Sequence, residues 1–130
     1  AHMYRKIGEE FIADDFAHEQ SVVFETGKGL VIFNSCSHGG IVNIVREVQM
    51  ALGGQKVYAV VGGFHMMKLS GMDTLAIPEE EVVETAQELK GLGVEEIYTG
   101  HCTGNIAFGI LKKELGEMVH ALGTGETVVF

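Results

Sequence analysis

At 130 residues, 46% hydrophobic and 21% charged, the chain holds one domain or a piece of one and is not a disordered tail. Nine basic against 18 acidic residues leave a net charge of −9, which argues against a general nucleic-acid binder, because phosphate neutralisation takes a basic surface. No apolar run approaches the roughly 18 residues of a membrane span, no secretory leader is read, and two cysteines are too few for a disulfide framework, so a reducing cytoplasm is the expected setting.

The first three residues, Ala1-His2-Met3, read as an expression scar, with the native register starting near Tyr4. Residues 4–20 form a polar opening segment with a short strand expected at Glu10–Ala13. Ser21–Thr26 and Leu30–Asn34 flank the turn Gly27-Lys28-Gly29 and read as a hairpin. Its second strand lacks polar alternation and is expected to be buried on both faces. After SCSHGG (35–40), Ile41, Ile44, Val45, Val48 and Leu52 fall at helical spacing, and Gly53-Gly54 ends that helix. Lys56–Val61 is a second buried strand, followed by GGFH (62–65) and a long methionine-bearing loop from Met66 to Ile77. That loop either walls an apolar pocket or packs over the sheet edge.

Pro78 is expected in the first turn of the next helix, where its missing N–H costs nothing and Glu79, Glu80 and Glu81 suit the helix N-terminus. That helix runs to about Lys90. Val94–Thr99 is a strand, GHCTG (100–104) a loop, and Asn105–Leu115 a helix. Two closing strands are expected at Glu117–Leu122 and Glu126–Phe130. The order ββαβαβαββ implies an α/β layer with crossover connections.

Eighteen glycines are about double the ordinary usage of roughly 7%, and many stand just after strands. His38, His65 and His101 each lie just past the carboxyl end of a predicted strand, flanked by glycine or small residues. Open α/β sheets bind ligands at that edge, so three imidazoles there can converge on one metal. His120 sits inside a strand pattern and reads as structural. His18 lies beside Asp14, Asp15 and Glu19, in a cluster that is either a solvated loop or the border of a site. Cys36 and Cys102 stand near candidate histidines, but there is no CxxC pair, so both read as buried small residues. Helices starting at Gly39-Gly40 and Thr103-Gly104-Asn105 offer free N–H groups to an anionic substrate, which makes Ser37, Gly39, Thr103 and Gly104 candidate substrate contacts. No GxGxxG or P-loop string is present.

The stretches DDFAHEQSVVFET, GLVIFNSCSHGGIVNIV, KVYAVVGGFHMM and IYTGHCTGNIAFGILKKELG, in that order, resemble the metallo-β-lactamase superfamily, in its branch of dihydropterin-ribofuranosylaminobenzene-phosphate synthase-like metallo-hydrolases. The resemblance implies an αββα sandwich of two packed sheets. It also implies metal-dependent hydrolysis, or a related transfer, of a small and in some cases phosphorylated metabolite. His38 matches a metal-ligating histidine of the second half and His101 the last one, while His65 is a site position characteristic of the branch. The metal expected is zinc or another divalent transition metal such as iron or manganese.

The main metal motif of that superfamily, HxHxDH, occurs nowhere in this chain. Residues 4–130 are therefore expected to be the C-terminal half of such a domain: a mixed sheet with helices on one face, completed by a second copy or by the missing N-terminal half. On this reading the chain alone is a weak or inactive enzyme. The alternative is a non-catalytic oligomerising or metal-binding half-domain that needs a partner chain.

Overall fold

The computed structural model describes residues 3–130. A separate hairpin comes first, β1 (Tyr4–Ile7) and β2 (Glu10–Ala13), paired antiparallel around Gly8 at φ 64°. The Met3 carbonyl accepts the Asp14 N–H at 2.9 Å and extends that ladder by one rung. The scar reading falls otherwise on Ala1 and His2, outside the described residues. β1 was not expected; its sequence YRKI is polar and its outer face stays in water.

The main sheet has the order β3-β4-β5-β6-β7, with β3 (Ser21–Thr26), β4 (Gly29–Asn34), β5 (Val57–Gly62), β6 (Glu96–Thr99) and β7 (Val119–Ala121). β3 and β4 are antiparallel, and the other neighbours are parallel. Parallel neighbours need crossovers. These are α1 (Ile41–Ala51), α2 (Glu79–Gly91) and α3 (Asn105–Leu115). Pro78 lies one residue before the first turn of α2, at φ −57°, with the three glutamates following it.

All three helices cover one face of the sheet. Ile44 and Val45 of α1, Val82 and Leu89 of α2, and Leu111 of α3 share one apolar cluster with Leu30, Ile32, Val60, Ile97 and Val119 of the strands. Each such side chain fully withdrawn from water contributes about 1.5–3 kcal/mol. β4 is buried on both faces as its unbroken apolar run predicts: Leu30, Val31 and Ile32 are all at most 1% exposed.

The opposite face carries a second cluster of Val31, Tyr58, Ala59 and Val61, with Phe33, Tyr98, Leu122 and Phe130 packed around it. Here the structure corrects two expectations. Glu126–Phe130 is not a strand, and β7 lies parallel to β6, so no closing hairpin forms. Residues 122–130 instead bring Phe130 edge-on to Phe33 and Tyr98, with ring centroids at 6.0 and 5.6 Å. The centre of this face is thus covered, while Val22 and Phe24 on β3 remain more than half exposed. Among the described residues, no helix is long and apolar enough to cross a membrane.

Candidate functional site

The loops after β4, β5 and β6 leave the same edge of the sheet, and the backbone there is strained. Among the described residues, four non-glycine residues have positive φ, and three of them follow these strands: Ser37 at 51°, His65 at 51° and His101 at 49°. Side chains held in the left-handed region cost of the order of 1–3 kcal/mol and concentrate at functional sites. Two of the three are histidines singled out by position in the sequence.

Buried polar groups lock each loop. The Asn34 carboxamide accepts the Ser37 N–H at 2.7 Å and the Ser37 hydroxyl at 3.0 Å, and it donates to Ser21 Oγ at 2.8 Å. Thr103 Oγ1 accepts the Phe64 N–H at 2.9 Å and meets Thr99 Oγ1 at 2.6 Å, while Thr99 donates to the Gly62 carbonyl at 2.8 Å. The glycines of GGFH answer to space. A Cβ on Gly62 would be driven into the Asn34 carbonyl, and one on Gly63 would meet Cys102 Sγ at 2.5 Å.

The three histidines fall into two neighbouring groups. His38 and His65 are in ring contact, with centroids 4.5 Å apart, and Phe16 stacks on the other side of His38 at 5.2 Å. Glu19 holds this pair in place. Its Oε1 accepts the His38 N–H at 2.8 Å and lies 3.2 Å from His38 Nδ1, and its Oε2 accepts the Gly39 N–H at 3.1 Å. The carboxylate thus fixes the backbone at His38 and Gly39 and lies beside the His38 ring.

His65 Nδ1 is buried and has no hydrogen-bond partner among the described residues. Burial first, and then the neighbouring His38, push the His65 imidazolium below its ordinary range, against a smaller opposing effect of Glu19. Both effects favour the uncharged ring, the form that ligates. A cleft of about 370 Å³ opens over this pair between Phe16, Ile41, Phe64 and Met66.

His101 is exposed and turns toward sulfur: its Nδ1 lies 3.8 Å from Cys36 Sγ. Among the described residues, the donors found within 4.8 Å of one another are those of Cys36, His101 and Cys102, a set without His38 and His65. Cys102 is buried as expected, whereas Cys36 is only half-buried. Burial pushes the Cys102 thiol up to about 11.

The four expected substrate contacts are committed within the chain. The Ser37 and Thr103 hydroxyls are buried in the networks above. The Gly39 N–H is held by Glu19, and the Gly104 N–H bonds the His101 carbonyl at 3.3 Å. The anion position before α1 is thus filled by the chain's own Glu19 carboxylate. At the start of α3 the Met72 carbonyl takes the Asn105 N–H at 2.7 Å. The 66–77 loop does both things expected of it: Met66 is buried and lines the cleft, and Met67 packs against Gly104.

His18 is exposed beside Asp14, away from the pair. His120 is structural, bonding Glu96 at 2.6 Å and stacking on Tyr98. Glu19 was legible only as a member of the His18 cluster. The signal for its role is the β3–β4 register: Ser21 opposite Asn34 sets the residues before β3 beside those after β4.

No protein-family model matches the chain. It is 36% identical over 128 residues to the 7,8-dihydropterin-6-methyl-4-(beta-D-ribofuranosyl)-aminobenzene-5'-phosphate synthase of Methanocaldococcus jannaschii, an alignment covering 98% of this chain and 41% of that protein. The crystal structure of a metal-dependent hydrolase of the beta-lactamase superfamily superposes with a TM-score of 0.85 at 30% identity, covering 98% of this chain and 46% of the other. The chain therefore spans less than half the length of both relatives. Fold and sequence together bear out the resemblance read from the histidine loops: along 98% of its length, this mixed α/β layer has the architecture of a metallo-β-lactamase superfamily hydrolase, of which it spans 46%.

Proposed function

We propose that residues 4–130 are the C-terminal half of a metal-dependent hydrolase domain acting on a small metabolite, with a phosphorylated one the first to test. The observation that carries this reading is the buried, unpartnered Nδ1 of His65, in ring contact with a His38 that lies against the Glu19 carboxylate. An orphaned buried nitrogen costs about 1–3 kcal/mol, and a bound cation would remove that cost. The donors fit zinc, iron or manganese, since imidazole and carboxylate suit all three.

His38 and His65 would hold the metal, with His101 joining from the next loop. When bound, it supplies Lewis-acid polarisation of a phosphoryl or carbonyl group and a nucleophile at neutral pH. Glu19 keeps the His38–Gly39 loop in place by accepting both backbone N–H groups. Phe16, Phe64 and Met66 exclude water from one side of the cleft. The Glu19 carboxylate already takes the His38 and Gly39 N–H groups before α1, so a substrate anion would compete with it there.

The partner is the missing half of the domain or a second copy of this chain. It has Val22 and Phe24 of β3 to cover, and Tyr4 and Phe11 of the hairpin, all more than half exposed. The cytoplasmic setting belongs to this proposal, both cysteines being free thiols.

A second reading, a non-catalytic half-domain that binds metal only in company, is favoured by the absence of any HxHxDH string. Elemental analysis after dialysis tests the centre itself, with about one metal per chain or per pair of chains expected. Unchanged metal affinity in both His38→Ala and His101→Ala would remove the assignment. Phosphoester hydrolysis by the chain alone, and after mixing with the N-terminal half of a relative, separates the two readings. A stable monomer at micromolar concentration counts against self-association.

A further inference from the structure

We infer that Cys36, His101 and Cys102 form a second cation site, a three-donor set for a thiophilic divalent metal such as zinc. One ligand atom of each lies within 4.8 Å of the other two. The donors come from the loops after β4 and β6, so the site is assembled by the parallel sheet and not by any local motif. In a tetrahedral shell with metal–sulfur bonds of about 2.3 Å and metal–nitrogen bonds of about 2.0–2.1 Å, neighbouring donors stand roughly 3.5–3.8 Å apart. Cys36 Sγ and His101 Nδ1 are already at 3.8 Å. The 4.8 Å bound leaves the third donor a shift on the order of 1 Å to complete the shell.

Two features around Cys102 suit a metal-bound sulfur, although burial by itself favours the protonated thiol. The His65 N–H donates to Cys102 Sγ at 3.3 Å, the kind of outer hydrogen bond that steadies a metal-bound sulfur. Gly63 leaves the room that this sulfur fills, since a Cβ there would meet it at 2.5 Å. His101 is held at φ 49°, a conformation that sets its ring toward Cys36. Two cysteines and one histidine leave a fourth position open, as catalytic zinc sites do. Binding releases two thiol protons to solvent and involves no change of oxidation state. His101 is common to this set and to the proposed hydrolytic centre, so a metal held by the thiols takes that imidazole away from His38 and His65. The inference rests on donor geometry and stands independently of hydrolysis.

Cobalt(II) titration of the reduced, metal-free chain tests it, because thiolate ligands add a sulfur-to-cobalt charge-transfer band that imidazole and carboxylate ligands do not. The band is expected to saturate near one cobalt per chain. It should survive His38→Ala, weaken in His101→Ala and fall clearly in Cys36→Ser, a substitution at a half-buried position that leaves the core untouched. Absence of the band in the unmodified chain, or an undiminished band in Cys36→Ser, overturns the site. Cobalt binding without the band would leave the histidine centre standing and remove only the thiolate one.

Discussion

The two ends of each parallel strand's environment contrast sharply. Beneath the helices, Leu30, Ile32, Val60, Ile97 and Leu111 are fully buried in one apolar cluster. At the carboxyl edge, a few residues away, the chain holds three left-handed side chains, a buried ring nitrogen without a partner and a thiol kept protonated by burial. Strain and unmet polar groups survive only where the surrounding structure over-determines them. The core supplies that margin, and the edge uses it to present His38, His65, His101 and the two cysteines.

The largest expected effect tests the core side. Leu111→Ala removes a fully buried side chain from the cluster to which all three helices contribute and should cost about 2–5 kcal/mol of unfolding free energy, read by urea denaturation. A cost within about 0.5 kcal/mol, the range of surface substitutions, would mean the helix face is loosely packed.

The next effect should have the opposite sign. His65→Gly relieves a φ of 51° and deletes the orphaned Nδ1, so the metal-free chain should gain about 1 kcal/mol while losing metal affinity. A destabilised, metal-free His65→Gly would show that the edge is not strained and would erase the contrast.

The smallest effect concerns the two thiols of the metal-free chain. Half-buried Cys36 should alkylate well before buried Cys102, whose labelling should rise only as pH approaches about 11. The stability sign follows. A thiol raised from 9.0 to about 11 stabilises the fold below pH 9, and that contribution is lost as pH climbs through the folded value. Equal labelling of both thiols at neutral pH, followed peptide by peptide, would break this assignment.

Much of the fold was legible because its signals are local. Unbroken apolar runs marked β4 and β5, helical spacing marked α1, and the pairs Gly53-Gly54 and Gly62-Gly63 marked the ends of α1 and β5. The position of His38, His65 and His101 after successive strands already pointed to one edge. Glu126–Phe130 misled because its β-branched residues favour a strand, while only the sheet's open face decides that Phe130 packs as a single ring.

What the sequence determined by itself is the layer, its parallel order and the edge where chemistry collects, since periodicity and turn residues act over a few positions. Which groups meet at that edge was decided by the tertiary structure alone. The β3–β4 register carries Glu19 to His38. The packing of the β6 loop against the β4 loop turns His101 to Cys36 and Cys102. Those partners stand 19 and 65 residues apart in the chain, so only strand pairing and loop packing could bring them together.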